Sequence, residues 1–200
     1  MRIAFEKENL RFYFSFQCPY SYLVWEQLCR LLNNNDQIKI NPISIGINPP
    51  NNFKFNHIEL WNSAHWEKLA KDAEQLGIEL KKPQKFVSEA EVACAIKLYG
   101  AVGAEAYISS IFKAVFCEGL DISVPSSLRY LLQSEGVDSS ILIKEFETHH
   151  LGENFENLNN IWGSKRIRAL PTLESTESRS SGFLNCDDIL KEFSIFLSEN

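Results

Sequence analysis

Residues 10–23, which read LRFYFSFQCPYSYL, decide the fold class of this 200-residue chain. Apolar side chains alternate from Leu10 to Phe16 and the intervening side is also largely apolar, which is typical of a β-strand buried on both faces. Pro19 suits the first turn of a helix, because its φ is preset and its missing N–H is not needed there. Leucine and valine then recur at helical spacing. The stretch therefore predicts a buried strand followed directly by a helix, with Cys18 at the junction.

A second apolar segment follows at residues 38–45 and predicts another β-strand. Its apolar phase shifts by one residue at Asn41 and Pro42, which favours a bulge or an edge position in the sheet. Strand, helix and strand form a βαβ unit. We expect its two strands to be parallel and its crossover to be right-handed.

The rest of the chain separates into a helical part and a closing ββα part. From about residue 57 to 150 the apolar patterns have helical spacing. A short hairpin between about residues 170 and 184 and an amphipathic closing helix then follow. The sequence therefore predicts an α/β fold of the βαβ–ββα type, formed by residues 1–56 and 151–200 and interrupted by an all-helical insertion at residues 57–150.

Composition and charge exclude several classes of protein. Hydrophobic residues make up 44% of the chain and charged residues 23%, which indicates a folded core and argues against intrinsic disorder. The 20 basic and 26 acidic side chains give a net charge of −6, which argues against binding to nucleic acid or to anionic lipid. No apolar stretch follows a basic start, and none approaches the ~18 residues of a membrane span. We therefore expect a cytoplasmic protein without a secretory signal or a membrane segment.

The five cysteines are odd in number and widely spaced, and no CxxC pair occurs. This pattern argues against a disulfide scaffold and against a zinc ribbon, and no residues are predicted to bind a metal. Cys29, Cys94 and Cys117 lie within helical patterns and are interpreted as small buried hydrophobes.

Cys18 differs because it lies at the predicted N-terminus of a helix. Unpaired backbone N–H groups and the helix dipole stabilise an anion there, and they can lower a thiol pKa far enough to give a thiolate at neutral pH. Ser21 stands where a second cysteine would be needed for an internal disulfide, and its hydroxyl can donate a hydrogen bond to a thiolate. Cys18 and Ser21 are thus candidate catalytic residues, for one-cysteine chemistry or for holding the thiolate of a bound thiol. The alternative interpretation is that Cys18 is also an inert buried hydrophobe.

The turn at residues 16–23 and the segment Ala169-Leu170-Pro171-Thr172 resemble the active-site turn and the cis-proline loop of the DsbA-like thioredoxin superfamily. The chain is most similar to the branch that contains 2-hydroxychromene-2-carboxylate isomerase and kappa-class glutathione transferase. That branch has a serine at the position of Cys18 and lacks the second cysteine. The resemblance implies a thioredoxin fold with a DsbA-type helical insertion.

The same resemblance implies glutathione as the cofactor. It implies a cis peptide bond before Pro171, and backbone N–H and C=O groups of Leu170 that are left unpaired to bind an extended thiol ligand as an added strand. Cys186 and Asp187 match a family segment that holds the γ-glutamyl end of glutathione, where Asp187 can bind the ammonium group. Asn48 matches an asparagine of a family Gly-Asn-x-Pro-Pro stretch, displaced by one position.

Charged residues near these positions allow two interpretations. Asp188 stands where the family has an arginine, which replaces a cation by an anion. Residues 165–168, which read KRIR, are interpreted as a solvated helix end that complements the helix dipole. Alternatively, Arg168 helps to hold a carboxylate of the ligand or substrate.

These residues lead to three hypotheses about function. The first is a glutathione-dependent isomerase or transferase that acts on small electrophilic aromatic or conjugated substrates. The second is a single-cysteine thiol–disulfide oxidoreductase. The third, favoured by Asp188, is a non-catalytic thioredoxin-fold protein that binds a partner. The resemblance also makes a homodimer plausible, because enzymes of this family are often dimers.

Overall fold

A computed structural model describes residues 8–34, 38–45, 63–83, 105–120, 125–134 and 164–193. Its strands and helices follow one another as β1 (Glu8–Phe14), α1 (Pro19–Asn34), β2 (Ile38–Ser44), α2 (Ser63–Gln75), α3 (105–113) with a π-helical turn (Ala114–Glu118), α4 (Pro125–Ser134), β3 (Thr172–Glu174), β4 (Arg179–Ser181) and α5 (Cys186–Glu192). This order confirms the predicted α/β fold, in which helices separate a βαβ unit from a ββα unit.

The four strands form one mixed sheet in the order β2-β1-β3-β4. β1 and β2 are parallel, with Glu8 opposite Ile38 and Phe14 opposite Ser44. β3 pairs antiparallel with both β1 and β4. β1 is thus an internal strand, which explains why its sequence is apolar on both sides.

The edge position predicted for the second strand is confirmed, because β2 is the outer strand of the sheet. Pro42 has no N–H to give to a neighbouring strand, and an edge strand tolerates that loss. The register between β1 and β2 continues without interruption past Asn41 and Pro42, so the alternative of a bulge is wrong at this point.

One face of the sheet carries the main core, to which α1, α3 and α5 also contribute. The alternating side chains of β1 and the turn after it are fully buried there, namely Leu10, Phe12, Phe14 and Phe16. Phe112 of α3 packs against Phe14 and Phe16, with ring centroids 5.6 and 5.0 Å apart. Trp25 of α1 stacks on Phe12 at 5.7 Å, and its indole N–H donates to Ser109 Oγ at 2.8 Å. The helical part and the sheet therefore share one core.

The opposite face carries a smaller apolar cluster, which we call the second-face cluster. It consists of Tyr13, Cys18, Ile45, Ile167 and Leu170. Side chains alternate along a strand, so Tyr13 of β1 lies on the side away from Phe12 and Phe14. This cluster brings the segment before β3 against the start of α1.

The hairpin is shorter than predicted. Its return strand is Arg179–Ser181, whereas the sequence pattern predicts a strand from Ser181 to Leu184. Ser175 closes the turn, because its N–H donates to Ser178 O at 2.8 Å and its hydroxyl accepts from Ser178 N at 3.0 Å. Phe183 has already left the sheet and packs against Tyr20 at a centroid distance of 6.1 Å. The apolar residues after Ser181 are therefore buried by a helix and not by strand pairing.

Two helices of the middle part end at glycines in the described ranges. Gly77 follows α2 with a φ of +71°, and Gly119 ends the π-helical turn with a φ of +69°. Both lie in the left-handed region that glycine adopts at little cost. None of the helices in the described ranges is both long and apolar enough to cross a membrane.

Candidate functional site

Cys18 lies between β1 and α1, and its sulfur contacts the loop that precedes β3. The backbone N–H of Cys18 donates to Ser15 O at 3.1 Å, and α1 begins at Pro19. Its Sγ donates to the carbonyl oxygen of Leu170 at 3.7 Å. The peptide bond between Leu170 and Pro171 is cis, the geometry that the family resemblance implies. The fold thus brings Cys18 together with the proline loop.

The structure holds Cys18 as a buried thiol. Only 1% of its surface is exposed, and it lies within the second-face cluster. The N–H groups of Ser21 and Tyr22 donate to the carbonyl oxygen of Cys18, at 2.9 and 3.3 Å. This differs from the prediction that unpaired N–H groups surround a thiolate, because these first amides of α1 serve a backbone carbonyl.

Ser21 is fully buried in the first turn of α1. Its Oγ accepts a hydrogen bond from Ser15 N at 3.4 Å, which ties the start of the helix to the end of β1. Among the described residues no hydrogen bond uses the hydroxyl proton of Ser21. That proton can therefore be donated to a sulfur atom in the turn.

Leu170 presents only one of its two backbone groups to a ligand. The carbonyl accepts from Cys18, so the prediction that both groups stay unpaired is wrong for the C=O. In the described ranges no acceptor engages the N–H of Leu170. The loop around it is held by Gly182 N, which donates to Pro171 O at 2.8 Å, and by Thr172 Oγ1, which donates to Ala169 O at 2.7 Å.

Cys186 contacts α1 and not the turn that holds Cys18. Its Sγ donates to Gln27 Oε1 at 3.1 Å and lies 3.6 Å from Gln27 O. Gln27 is about 13 Å farther along the axis of α1 than Cys18. Burial raises the pKa of the Cys186 thiol, although nearby Arg30 opposes the shift. The structure thus sets Cys186 apart from the Cys18 sulfur.

Gln27 is a candidate site residue that sequence reasoning missed. Only 2% of its surface is exposed, and its Nε2 is buried without a hydrogen-bond partner among the described residues. A buried donor without an acceptor is costly, and such groups are rare in folded proteins. The available signal is that Gln27 lies four residues after Leu23 and four before Leu31, on the apolar face of α1.

Asp187 and Asp188 have different surroundings at the start of α5. Asn185 is the N-cap, and its side chain accepts from Asp188 N at 2.9 Å while Asp188 Oδ2 accepts from Asn185 N at 3.3 Å. This reciprocal capping box gives a structural role to Asp188, the residue that replaces the family arginine. Asp187 is exposed and has no partner among the described residues. Asn48 lies outside the described residues.

Two other cysteines, Cys29 and Cys117, are half-buried, whereas their interpretation as small buried hydrophobes predicts full burial. Burial raises the pKa of Cys29 to about 12. Burial also raises the pKa of Cys117, whose sulfur lies 3.1 Å from the hydroxyl of Tyr22. Cys94 lies outside the described residues.

A polar network on the second face of the sheet was also missed. Glu174 of β3 accepts hydrogen bonds from Arg11 Nη1 at 3.0 Å and from the Tyr13 hydroxyl at 2.8 Å, and it forms an ion pair with Arg179. Burial raises the pKa of Glu174, but the three donors together outweigh burial and lower the pKa to about 2. No local pattern predicts this network, because its members come from three different strands.

Comparison with known proteins tests the family resemblance directly. Residues 9–166 match the family model of the DSBA-like thioredoxin domain. A search of curated protein sequences finds no match.

Solved structures share the fold at low sequence identity. A 2-hydroxychromene-2-carboxylate isomerase is 20% identical, with a TM-score of 0.76 and 93% of each chain covered. A probable DsbA oxidoreductase from Streptomyces coelicolor is 11% identical, with a TM-score of 0.74 and coverage of 96% of this chain and 93% of the other. The cytosolic disulfide reductase DsbM from Pseudomonas aeruginosa, solved with GSH, is 14% identical, with a TM-score of 0.62 and coverage of 86% and 88%. With the family model matched over most of its length, the chain belongs to the DsbA-like thioredoxin domain family.

Proposed function

We propose that the protein is a glutathione-dependent isomerase or transferase that acts on small electrophilic aromatic or conjugated molecules. The observation that carries this proposal is the contact of a single sulfur, Cys18 Sγ, with the carbonyl before cis-Pro171. Ser21 and not a second cysteine completes the turn, so an internal disulfide cannot form there. Two solved proteins of the same fold, one named as an isomerase and one as a reductase with GSH, support an enzyme that uses glutathione.

Groups of this chain fit glutathione as a ligand. The unengaged N–H of Leu170 suits a backbone carbonyl of an extended peptide. The exposed carboxylate of Asp187 suits an ammonium group. Gln27 Nε2 lies buried at the contact between α1 and α5 and has no acceptor in the part of the chain that the structure describes, so it suits a carboxylate. Glutathione, when bound, supplies the nucleophilic thiol.

The residues of the turn have distinct tasks in this proposal. Ser21 donates its hydroxyl proton to sulfur and so stabilises negative charge there. The N-terminal end of α1 adds the positive end of the helix dipole. Cys18 occupies the position of the family's serine and supplies a second donor, which now points to Leu170 O. The second-face cluster around Cys18 excludes water and so strengthens these interactions.

A single-cysteine thiol–disulfide oxidoreductase is the second candidate, because position 18 holds a cysteine. Thiol–disulfide exchange requires an incoming sulfur to reach the Cys18 sulfur directly. At 1% exposure, that sulfur must first be uncovered. A reaction that uses the thiol of glutathione does not need a covalent bond to Cys18, which distinguishes the first candidate. Donation from the fully buried Ser21 requires the same uncovering of the turn.

Cys18→Ser separates the two candidates. The variant keeps a hydroxyl donor at this position, so conjugation of glutathione to a generic electrophile such as 1-chloro-2,4-dinitrobenzene should retain kcat/KM within about tenfold, or about 1.4 kcal/mol. Reduction of a glutathione mixed disulfide should be lost, because no sulfur remains in the turn. Both rates are measured on the wild type and the variant.

Cys29→Ser is the matched control, because it removes a half-buried thiol from the same helix without touching the turn. Conjugation that fails in Cys18→Ser and persists in Cys29→Ser would contradict the first candidate and favour the second. If millimolar glutathione gives no thermal shift with the wild type, both enzyme proposals fail and a binding protein remains.

The proposal also includes a compartment and an assembly. Cys18, Cys29, Cys117 and Cys186 are all free thiols, which supports action in a reducing cytoplasm. A homodimer stays a prediction, and size-exclusion chromatography with light scattering measures it.

A further inference from the structure

A cleft of about 300 Å³ opens on the second face of the sheet, at the hairpin. The described residues that line it are Arg166, Ile167, Arg168, Thr172, Arg179 and Ser181. Ile167 and Thr172 are each 1% exposed and form a buried floor, whereas the three arginines are exposed. Its size lies at the lower end of the ~300–1,000 Å³ of ligand pockets. The cleft therefore suits a small molecule.

The cleft is strongly basic in a chain whose net charge is −6. Three guanidinium groups line it, and one of them, Arg179, pairs with the carboxylate of Glu174. Glu174 is also engaged by Arg11, so a single negative charge is shared between two cations. Neither Arg166 nor Arg168 forms an ion pair with any described residue.

The donors that remain available belong to Arg166 and Arg168. Arg179 already donates to Lys165 O at 3.1 Å and to Glu174. Thr172 gives its only hydroxyl proton to Ala169 O, so in its 2.7 Å contact with Ser181 it is the acceptor and Ser181 is the donor. The two hydroxyls are thus occupied, and the free guanidinium groups carry any recognition of an anion.

The backbone holds these two arginines at the rim of the cleft. Arg166 has a φ of +52°, a left-handed conformation that costs a non-glycine residue roughly 1 kcal/mol. The turn at Arg166 lets Ile167 enter the second-face cluster while Arg168 stays exposed. Arginine presents a planar fork of donors that matches the paired oxygens of a carboxylate or a phosphate.

We propose that this cleft is a binding site for a small organic anion, recognised through its carboxylate or phosphate oxygens by Arg168 and Arg166. It is distinct from the Cys18 turn, although Ile167 contacts both regions. The proposal goes beyond the proposed function and does not require glutathione to bind.

Calorimetric titration of the full chain with inorganic phosphate and, separately, with malonate tests the site at constant ionic strength. We expect one of the two probes to bind with a measurable Kd, and the preferred probe tells a phosphate ligand from a carboxylate ligand. Arg168→Gln should weaken that Kd at least about tenfold, because a charged hydrogen-bond donor is lost. Arg166→Asn should weaken it as well, and asparagine tolerates the left-handed backbone at this position.

Lys165→Gln is the matched control, because it removes one positive charge from the same segment but does not line the cleft. We expect it to change the Kd less than about twofold. Cys18→Ser should bind the probe like the wild type, because Cys18 does not line the cleft. The proposal is overturned if neither probe binds at millimolar concentration, or if Arg168→Gln binds as well as Lys165→Gln.

Discussion

Glu174 links the side chains of three neighbouring strands on the second face of the sheet. Its carboxylate accepts from side chains of β1 and β4, and only 13% of it is exposed. The side chains of Arg11 and Arg179 are 47% and 38% exposed, so water screens both ion pairs. Each pair therefore contributes little to the free energy of unfolding. The hydroxyl of Tyr13, a residue that is itself fully buried, adds a less screened hydrogen bond.

Glu174→Gln should lower the free energy of unfolding at pH 7 by about 1–2 kcal/mol. The pKa of Glu174 is about 2 in the folded chain, below its ordinary value of 4.5. The carboxylate therefore stabilises the fold above about pH 4.5, and this contribution is lost as the pH falls towards 2. Urea unfolding between pH 7 and pH 2 should show a smaller acid-induced loss of stability in the variant.

Glu177→Gln serves as the control for this measurement, because it removes the same charge from an exposed turn of the hairpin. We expect its pH dependence to follow the wild type. An equal effect of the two substitutions would show that net charge and not the Glu174 contacts sets the acid stability.

At the scale of elements, α5 is a seven-residue helix whose start depends on its capping box. Asn185 and Asp188 satisfy each other's backbone N–H groups, and Ile189 is fully buried against the core. A short helix gains little from its own hydrogen bonds, so capping and burial decide whether it forms. The departure of Asp188 from the family's arginine is thus explained by local stability.

Asp188→Ala should lower the free energy of unfolding by about 0.5–1 kcal/mol, because one half of the capping box is removed. Asp187→Ala is the matched control, since it removes a carboxylate from the same first turn without breaking a described hydrogen bond. Each variant removes one negative charge near the positive end of the helix dipole, so this electrostatic effect is the same in both. Equal destabilisation of the two variants in urea would argue against the capping role.

At the scale of the whole molecule, one core joins the sheet to the helical part. Phe112 of α3 contacts rings from three places, namely Phe14, Phe16 and Tyr22. Trp25 of α1 donates to Ser109 of α3, which adds a polar link across the same boundary. We therefore expect the described parts to unfold together and not as independent units.

Phe112→Ala should lower the free energy of unfolding by about 3–5 kcal/mol, because it leaves a cavity at the boundary between α3 and the sheet. Tryptophan fluorescence and far-UV circular dichroism should still give coincident transitions. Tyr130→Ala, at an exposed position of α4, is the control and should change stability by less than about 0.5 kcal/mol. Two separate transitions in Phe112→Ala would contradict the single core.

The features that the sequence predicts here are those with a local physical cause. The apolar alternation before Phe16 predicts β1 because strand side chains alternate with a period of two. Pro19 predicts the start of α1, because proline restricts its own φ to a helical value. Gly77 predicts the end of α2, because glycine readily adopts a left-handed conformation. The capping box at Asn185 was missed although its spacing is visible in the sequence.

Local patterns in the sequence predict the order of strands and helices and the place of Cys18 before a helix, and they leave a bulge or an edge position open for the second strand. Only the tertiary structure decided that the Cys18 thiol is buried against Leu170 O, that Cys186 faces Gln27, and that three arginines surround one cleft. The physical reason is that backbone preferences and periodicity act between neighbours along the chain. Burial, hydrogen bonding and charge pairing act between segments that only folding brings together.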